Sequence, residues 1–212
     1  YDYHNKNGLL YASTDKPLGL YIMKYVVIDG VSKPAEDSMA YGNLVDADFR
    51  QKVFEIADRL KIPPDYLMTV MAIETSKNVN GKMVPTFDPS IKNPGSSAVG
   101  LIQFMKATAK DLGTTTEKLA KMSAVDQLDY VEKYLKPYVG KMKSVEDVYL
   151  AVFYPNAIGK KDGYEFPQSI YQPNKGLDKD KNGKLTKGEI ANFVRRTLKR
   201  GQKSKPKSTP LP

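Results

Sequence analysis

The chain has 212 residues, 41% of them hydrophobic, and a net charge of +9 from 33 Lys+Arg against 24 Asp+Glu. That is enough apolar material for one sizeable domain with a small appendage, which excludes global disorder, and a basic balance favours polyanions such as nucleic acid, anionic lipid or bacterial cell wall. There is no cysteine and a single histidine, His4, which excludes disulfides, thiolate nucleophiles, Cys-based zinc and multi-histidine metal sites.

In chain order, nothing charged-then-apolar opens the sequence at Tyr1, so no export leader is expected and the chain reads as a piece of a longer protein. Residues 1–42 are rich in Tyr and Gly. A β-hairpin is expected there, with the β-branched and aromatic residues 19–29 pairing with residues 8–12 across residues 13–17. From Asp46 the pattern turns helical, with Phe49, Val53, Ile56, Ala57 and Leu60 recurring at three and four residues. Pro63-Pro64 ends that helix, and Pro64 suits the first turn of the next, which runs to about Glu74. Thr114-Thr115-Thr116-Glu117, Ser123-Ala124-Val125-Asp126 and Ser144-Val145-Glu146-Asp147 are capping signals that each open a helix, the last stopping at Pro155. A final helix over residues 188–200 sets Ile190, Phe193, Val194 and Leu198 on one face. Arg195-Arg196, Lys199-Arg200 and the lysines of residues 203–207 crowd the C-terminus, which reads as a solvated tail over residues 201–212. No apolar run approaches the ~20 residues that cross a bilayer, so membrane insertion is not expected.

Glu74 stands out within this pattern. Met71, Val70 and Leu67 share its helical face, so it adjoins core residues where most glutamates adjoin water. Burial disfavours the charged carboxylate and raises its pKa, and a carboxylic acid still protonated near neutral pH can donate a proton to a leaving group. The structural alternative is a helix-terminal glutamate that reaches water or Lys77. The segment over residues 77–99, with Asn80-Gly81, Pro85, Asp88-Pro89 and Asn93-Pro94-Gly95-Ser96-Ser97, is a long irregular stretch of the kind that is often functional. It is expected to end at residues 100–105, where helical pattern resumes. It also carries Asp88, which could fold back toward Glu74 or simply start an Asp-Pro turn.

Residues 178–189, Asp-Lys-Asp-Lys-Asn-Gly-Lys-Leu-Thr-Lys-Gly-Glu, fit the EF-hand calcium loop at every ligand position. Asp178, Asp180 and Asn182 supply oxygens at positions 1, 3 and 5, Lys184 a backbone carbonyl, Thr186 a direct or water-mediated contact, and Glu189 a bidentate carboxylate. Gly183 makes the sharp turn and Leu185 is the apolar eighth residue. Pro167, Pro173 and Gly176 argue against a full entering helix, and no second loop is present. A single structural Ca2+ pinning the last helix to the body is expected, with control of activity by external calcium as a further role.

Three ordered blocks, Ala72-Ile73-Glu74-Thr75-Ser76, residues 97–105 (Ser-Ala-Val-Gly-Leu-Ile-Gln-Phe-Met) and residues 150–157 (Leu-Ala-Val-Phe-Tyr-Pro-Asn-Ala), resemble those of the soluble lytic transglycosylase and goose-type lysozyme superfamily over roughly residues 46–166. Thr75 stands where that family usually has Ser, and Pro155 interrupts its compact Tyr-Asn-Ala-Gly run. The resemblance implies a lysozyme-like catalytic domain, and cleavage of the β-1,4 bond between N-acetylmuramic acid and N-acetylglucosamine in peptidoglycan. It implies Glu74 as catalytic acid, with Ser97, Gln103, Phe153, Tyr154 and Asn156 along the saccharide cleft. A hydrolase needs a second group to handle water or charge, and Asp88 inclines the reading to hydrolysis (a muramidase). A lytic transglycosylase needs only Glu74 and the substrate's own hydroxyl.

The expected class is therefore α+β and predominantly α-helical: an N-terminal extension with a small β element (1–45), a lysozyme-like catalytic domain (46–166), an EF-hand-like loop and helix (167–200) and a basic tail (201–212). The expected partner is the peptidoglycan glycan strand. No nucleic-acid motif accompanies the basic charge, so nucleic acid is not an expected partner. A monomer is expected, acting in the bacterial periplasm or cell wall after delivery by a type VI secretion system or a phage, with an immunity protein as a further partner. A non-catalytic wall-binding module is the competing class.

Overall fold

In the computed structural model the described residues are 39–203 in full and, ahead of them, the backbone of four strands. These strands, β1 (Asp2–Lys6), β2 (Leu9–Ser13), β3 (Lys24–Ile28) and β4 (Val31–Pro34), form an antiparallel sheet in sequence order. The expected pairing is β2 with β3, Leu10 opposite Tyr25 and Tyr11 opposite Lys24. It belongs to a four-stranded meander, larger than the isolated hairpin read from sequence. The connection over residues 14–23, the side chain of His4 and the tail over 204–212 lie outside the described residues.

The body is helical. α1 (Ala47–Leu60) starts where the Asp46 carboxylate accepts a hydrogen bond from the Phe49 amide at 2.8 Å, and its periodic residues Phe49, Val53, Ile56, Ala57 and Leu60 are all buried. α2 (Pro64–Glu74) has Pro64 in its first turn, where the missing N–H forfeits no bond. Leu67, Met68, Val70, Met71 and Ala72 are each 0% exposed, so this helix is apolar all round and belongs at the centre of the core. A two-stranded hairpin, β5 (Ser76–Val79) and β6 (Lys82–Pro85), follows it. Then come α3 (Lys106–Asp111), α4 (Thr116–Lys121), α5 (Ala124–Leu135), α6 (Val145–Phe153), α7 (Gln168–Tyr171) and α8 (Lys187–Lys203). α1, α6 and α8 pack round α2, and α5 packs on α1.

Ser123 and Ser144 cap α5 and α6 as expected, accepting from the Asp126 and Asp147 amides at 3.0 and 3.2 Å. At α4 the cap falls one residue later than the sequence suggests. Thr115 accepts from the Lys118 amide at 3.1 Å, and the buried Thr114 hydroxyl has no partner among the described residues. Thr116 and Leu119 are both buried, and turning that pair inward sets where the helix begins.

Two further expectations are corrected. The stretch after Glu74 opens with an ordered hairpin, turned by Asn80 (φ 50°) and Gly81 (φ 81°); Asn-Gly favours this because both residues accept positive φ. Residues 100–105 are not helical. Val99 and Phe104 pair across a tight turn in which Gly100 (φ 84°) and Gln103 (φ 54°) adopt left-handed backbone, and α3 starts only at Lys106. Gln127 of α5, fully buried, fixes this turn. Its Oε1 accepts from the Leu101 amide at 2.7 Å, and its Nε2 donates to the Pro89 and Leu119 carbonyls, both at 2.9 Å. A Cβ on Gly100 would collide with that amide.

α8 also runs further than expected, so residues 201–203 belong to it and not to the tail. Gly201 lies against the ring of Tyr41, leaving no room for a Cβ, and the Tyr41 hydroxyl donates to the Thr197 carbonyl at 2.5 Å. Among the described residues no helix is long and apolar enough to cross a membrane.

Gln127→Ala strands one buried amide and two carbonyls, and should lower the unfolding free energy by about 2–4 kcal/mol in urea denaturation. Gly201→Ala forces the Tyr41 ring to move and should cost about 1–3 kcal/mol.

Candidate active site

Glu74 is the last residue of α2. Its neighbour Thr75, fully buried, locks the helix end to the chain that returns from the hairpin. The Thr75 hydroxyl donates to the Met71 carbonyl at 2.7 Å and accepts from the Phe87 amide at 2.9 Å. The Thr75 carbonyl accepts from the Thr86 hydroxyl at 2.7 Å. Threonine at this position is therefore a structural tie between α2 and residues 86–87.

Glu74 opens into a cleft of about 270 Å³. One wall comes from the turn-rich segment after the hairpin, through Asn93, Ser96, Ala98, Ile102, Gln103 and Met105. The other comes from the end of α6, through Val152 and Phe153. Among the described residues Glu74 is the only titratable side chain lining this space. Loss of hydration pushes its pKa from 4.5 up to about 7. The side chain is only half-buried by surface exposure, but a group at the floor of a concavity keeps some accessible surface while most of its surroundings are protein. No ion pair or hydrogen bond to the carboxyl is present among the described residues to offset that loss. Desolvation also holds the Tyr149 and Tyr134 phenols protonated, with Glu74 adding to the effect at both; Tyr134 is pushed up to about 12 and donates to the Ala151 carbonyl at 2.6 Å.

Of the residues singled out in the sequence, the structure brings Glu74, Gln103 and Phe153 to the cleft. The Gln103 amide is held in place: Nε2 donates to the Ile91 and Gly100 carbonyls at 3.1 and 3.0 Å, and Oε1 accepts from Asn93 Nδ2 at 3.3 Å. Phe153 stacks on Tyr149, with centroids 5.3 Å apart and planes at 15°. Ser97 is exposed and does not line the cleft; its neighbour Ser96 does, with Oγ accepting from the Ala98 amide at 3.1 Å. Tyr154 turns instead to Phe166, edge-on at 5.4 Å, and Asn156 is exposed in the Pro155–Ala157 turn. Asp88 is exposed and outside the cleft lining. Its Oδ1 accepts from the Ser90 amide and hydroxyl at 2.8 and 2.7 Å, so it serves its own Asp-Pro turn. Sequence reading missed Asn93 and Ser96 as cleft residues and Gln127 as their support. The signal for Gln127 was a polar residue on the apolar face of α5, beside Leu128 and Val131.

The 178–189 loop meets a test of fit for a hard cation. Carboxylate oxygens of Asp178, Asp180 and Glu189 converge within 4.8 Å of one another. Gly183 (φ 81°) makes the turn, and Leu185 is 0% exposed. An oxygen-only donor set suits calcium. Asn182 lies in the same loop, its amide bonded to Asp178 and Asp180 and its Oδ1 accepting from the Lys184 amide at 2.9 Å. Thr186 donates through N and Oγ1 to Glu189 Oε2 at 3.0 and 3.2 Å. The entering side is only the four-residue α7 and a 3-10 run from Gln172 to Leu177, as Pro167 and Pro173 require.

A half-buried acid at a helix end shares a cleft with an amide and an aromatic ring in a mostly helical α+β body of lysozyme-like class. The model of the transglycosylase SLT domain family matches residues 51–163, and the chain belongs to that family of peptidoglycan-cleaving, lysozyme-like domains. No curated protein and no solved structure matches it.

With a folded pKa of about 7 against 4.5, Glu74 takes up a proton on folding, so its ionisation opposes folding as pH rises through that interval. With Glu74 as the general acid, the alkaline limb of kcat/KM should fall as pH rises through about 7, since only the protonated form donates. Glu74→Gln should abolish turnover while losing less stability than the parent between about pH 5 and pH 8, read by thermal melts.

Proposed function

We propose that this domain is a lytic transglycosylase, cleaving the β-1,4 bond between N-acetylmuramic acid and N-acetylglucosamine with Glu74 as acid and then base. The supporting observation is that Glu74 is the single titratable residue lining the cleft among the described residues, while Asp88 is committed to Ser90. The preference for hydrolysis drawn from sequence rested on Asp88, and its position removes that reason.

In the first step Glu74 gives its proton to the bridging oxygen as the bond from that oxygen to muramic acid C1 breaks, leaving positive charge on the sugar ring. In the second step the muramic acid C6 hydroxyl attacks C1 and passes its proton to the Glu74 carboxylate, closing a 1,6-anhydro ring and restoring the acid. Asn93 provides an amide, and Gln103 the remaining acceptor position on its Oε1, for N-acetyl and hydroxyl groups, and Phe153 an apolar face for a sugar ring. The work would be done in the periplasm or cell wall, where this polymer lies.

We also propose that the 178–189 loop binds one calcium ion through Asp178, Asp180, Asn182, the Lys184 carbonyl, Thr186 and Glu189. The convergent carboxylates support this reading.

Digestion of purified sacculi in 18O-water should yield muropeptides with 1,6-anhydro ends and no 18O. Reducing ends carrying 18O would move the domain to the muramidases, and no lysis at all would leave a wall-binding module. Asp88→Asn should retain activity within about twofold of the parent, since an exposed turn residue contributes little to the chemical barrier. Chelation should lower the melting temperature and added calcium should restore it, because an ion bound only by the folded state stabilises it.

A further inference from the structure

We propose that Phe166 is a positioning residue through which the 178–189 loop sets the saccharide-facing aromatic wall of the cleft. The inference rests on the glycan-cleft and calcium readings above and joins them.

The loop does not stand apart from the catalytic body. Its eighth to tenth residues pair with residues 164–166. The Phe166 amide donates to the Leu185 carbonyl at 2.8 Å, Glu165 bridges Thr186, and the Lys187 amide donates to the Tyr164 carbonyl at 2.9 Å. Leu185 and Phe166 are both buried. The strand-like centre of this loop, which in a paired arrangement would meet a second loop, therefore meets the catalytic body.

Phe166 is also the hub of the aromatic cluster behind the cleft. Its ring stands edge-on to Phe153 at 5.9 Å, to Tyr154 at 5.4 Å and to Tyr164 at 5.6 Å. Phe153 in turn lines the cleft with Glu74 and stacks on Tyr149. Two contacts, Leu185 to Phe166 and Phe166 to Phe153, thus separate the loop from the substrate space. The tenth residue of the loop also reaches the same helix: Lys187, buried, donates to the Lys160 carbonyl at 2.7 Å and pairs with Asp147 of α6 at 3.6 Å.

Three carboxylates within 4.8 Å of one another repel unless a cation stands among them. Without it the loop relaxes and its pairing with residues 164–166 loosens. Phe153 then loses its edge-on support. Glu74, on another helix, keeps its environment, so the effect falls on saccharide binding more than on the proton-transfer step.

The test uses the whole chain as Glu74→Gln, so that soluble N-acetylglucosamine–N-acetylmuramic acid oligosaccharides bind without being cut. Calcium should slow hydrogen exchange of the Phe166 amide and tighten oligosaccharide binding by about two- to tenfold, the range of one aromatic contact. Phe166→Leu should still bind calcium and still melt at a higher temperature with it, yet show no calcium effect on saccharide affinity; Phe166→Tyr should restore the effect. In the active parent, Phe166→Leu should raise KM while changing kcat less than about twofold. The proposal is overturned if calcium leaves Phe166 exchange unchanged, or if saccharide affinity in Phe166→Leu responds to calcium as the parent does. If no oligosaccharide binds under any condition, the glycosidase reading fails. The coupling is then judged on the Phe153 ring resonances, which calcium should shift in the parent and not in Phe166→Leu.

Discussion

A carboxylate set against hydrocarbon loses hydration that its neighbours must replace, and at the end of α2 none of the described residues replaces it. The last turns of that helix are apolar on every side because α1, α6 and α8 surround it. The helix ends at Glu74 just where the cleft begins, so the carboxyl inherits the low-dielectric surroundings of the core while remaining open to a substrate. Its pKa near 7 follows from that placement alone. A carboxyl still partly protonated at neutral pH is thus a property of where the core stops.

The rest of the site is arranged to keep that boundary fixed. A turn-rich cleft wall would be too loose for a glycan subsite if only solvent held it. Here Gln127 commits its whole amide to it, joining Leu101, Pro89 and Leu119, and from inside the cleft Gln103 directs its Nε2 hydrogens to the Ile91 and Gly100 carbonyls. Buried side-chain amides of this kind act as backbone substitutes where regular hydrogen-bond ladders are missing. Gly100 is required because the Gln127 amide occupies the space of a side chain, and its positive φ excludes most alternatives.

α8 closes the other side of the body. Arg195 pairs with Glu146, and Lys187 with Asp147, both in the first turn of α6. These pairs orient α6, whose far end carries Phe153 into the cleft. The segment that reads as an appendage in sequence is therefore part of the catalytic core's packing, as the burial of Ile190, Ala191 and Val194 also shows.

Much of this was legible in the residues. The helices α1, α2, α5, α6 and α8 follow from three-and-four periodicity, proline breaks and serine caps, all local effects that need no knowledge of the partner surface. The unusual standing of Glu74 was legible for the same reason, since Leu67, Val70 and Met71 share its face whatever they pack against. The convergence of the Asp178, Asp180 and Glu189 carboxylates was legible because their spacing along the chain, with Gly183 at the turn, follows a known loop pattern. Only the tertiary structure decided which polar residues converge. Asp88 and Ser97 lie in the right stretch of chain yet turn away, while Asn93 and Ser96 turn in, because in irregular backbone a side chain's direction depends on local φ and ψ and not on any period. Gln127 and Phe166 act through partners about 25 and 20 residues distant in the chain, respectively (Leu101 and Leu185). Contacts across such separations come from packing one element on another, which periodicity within an element does not record.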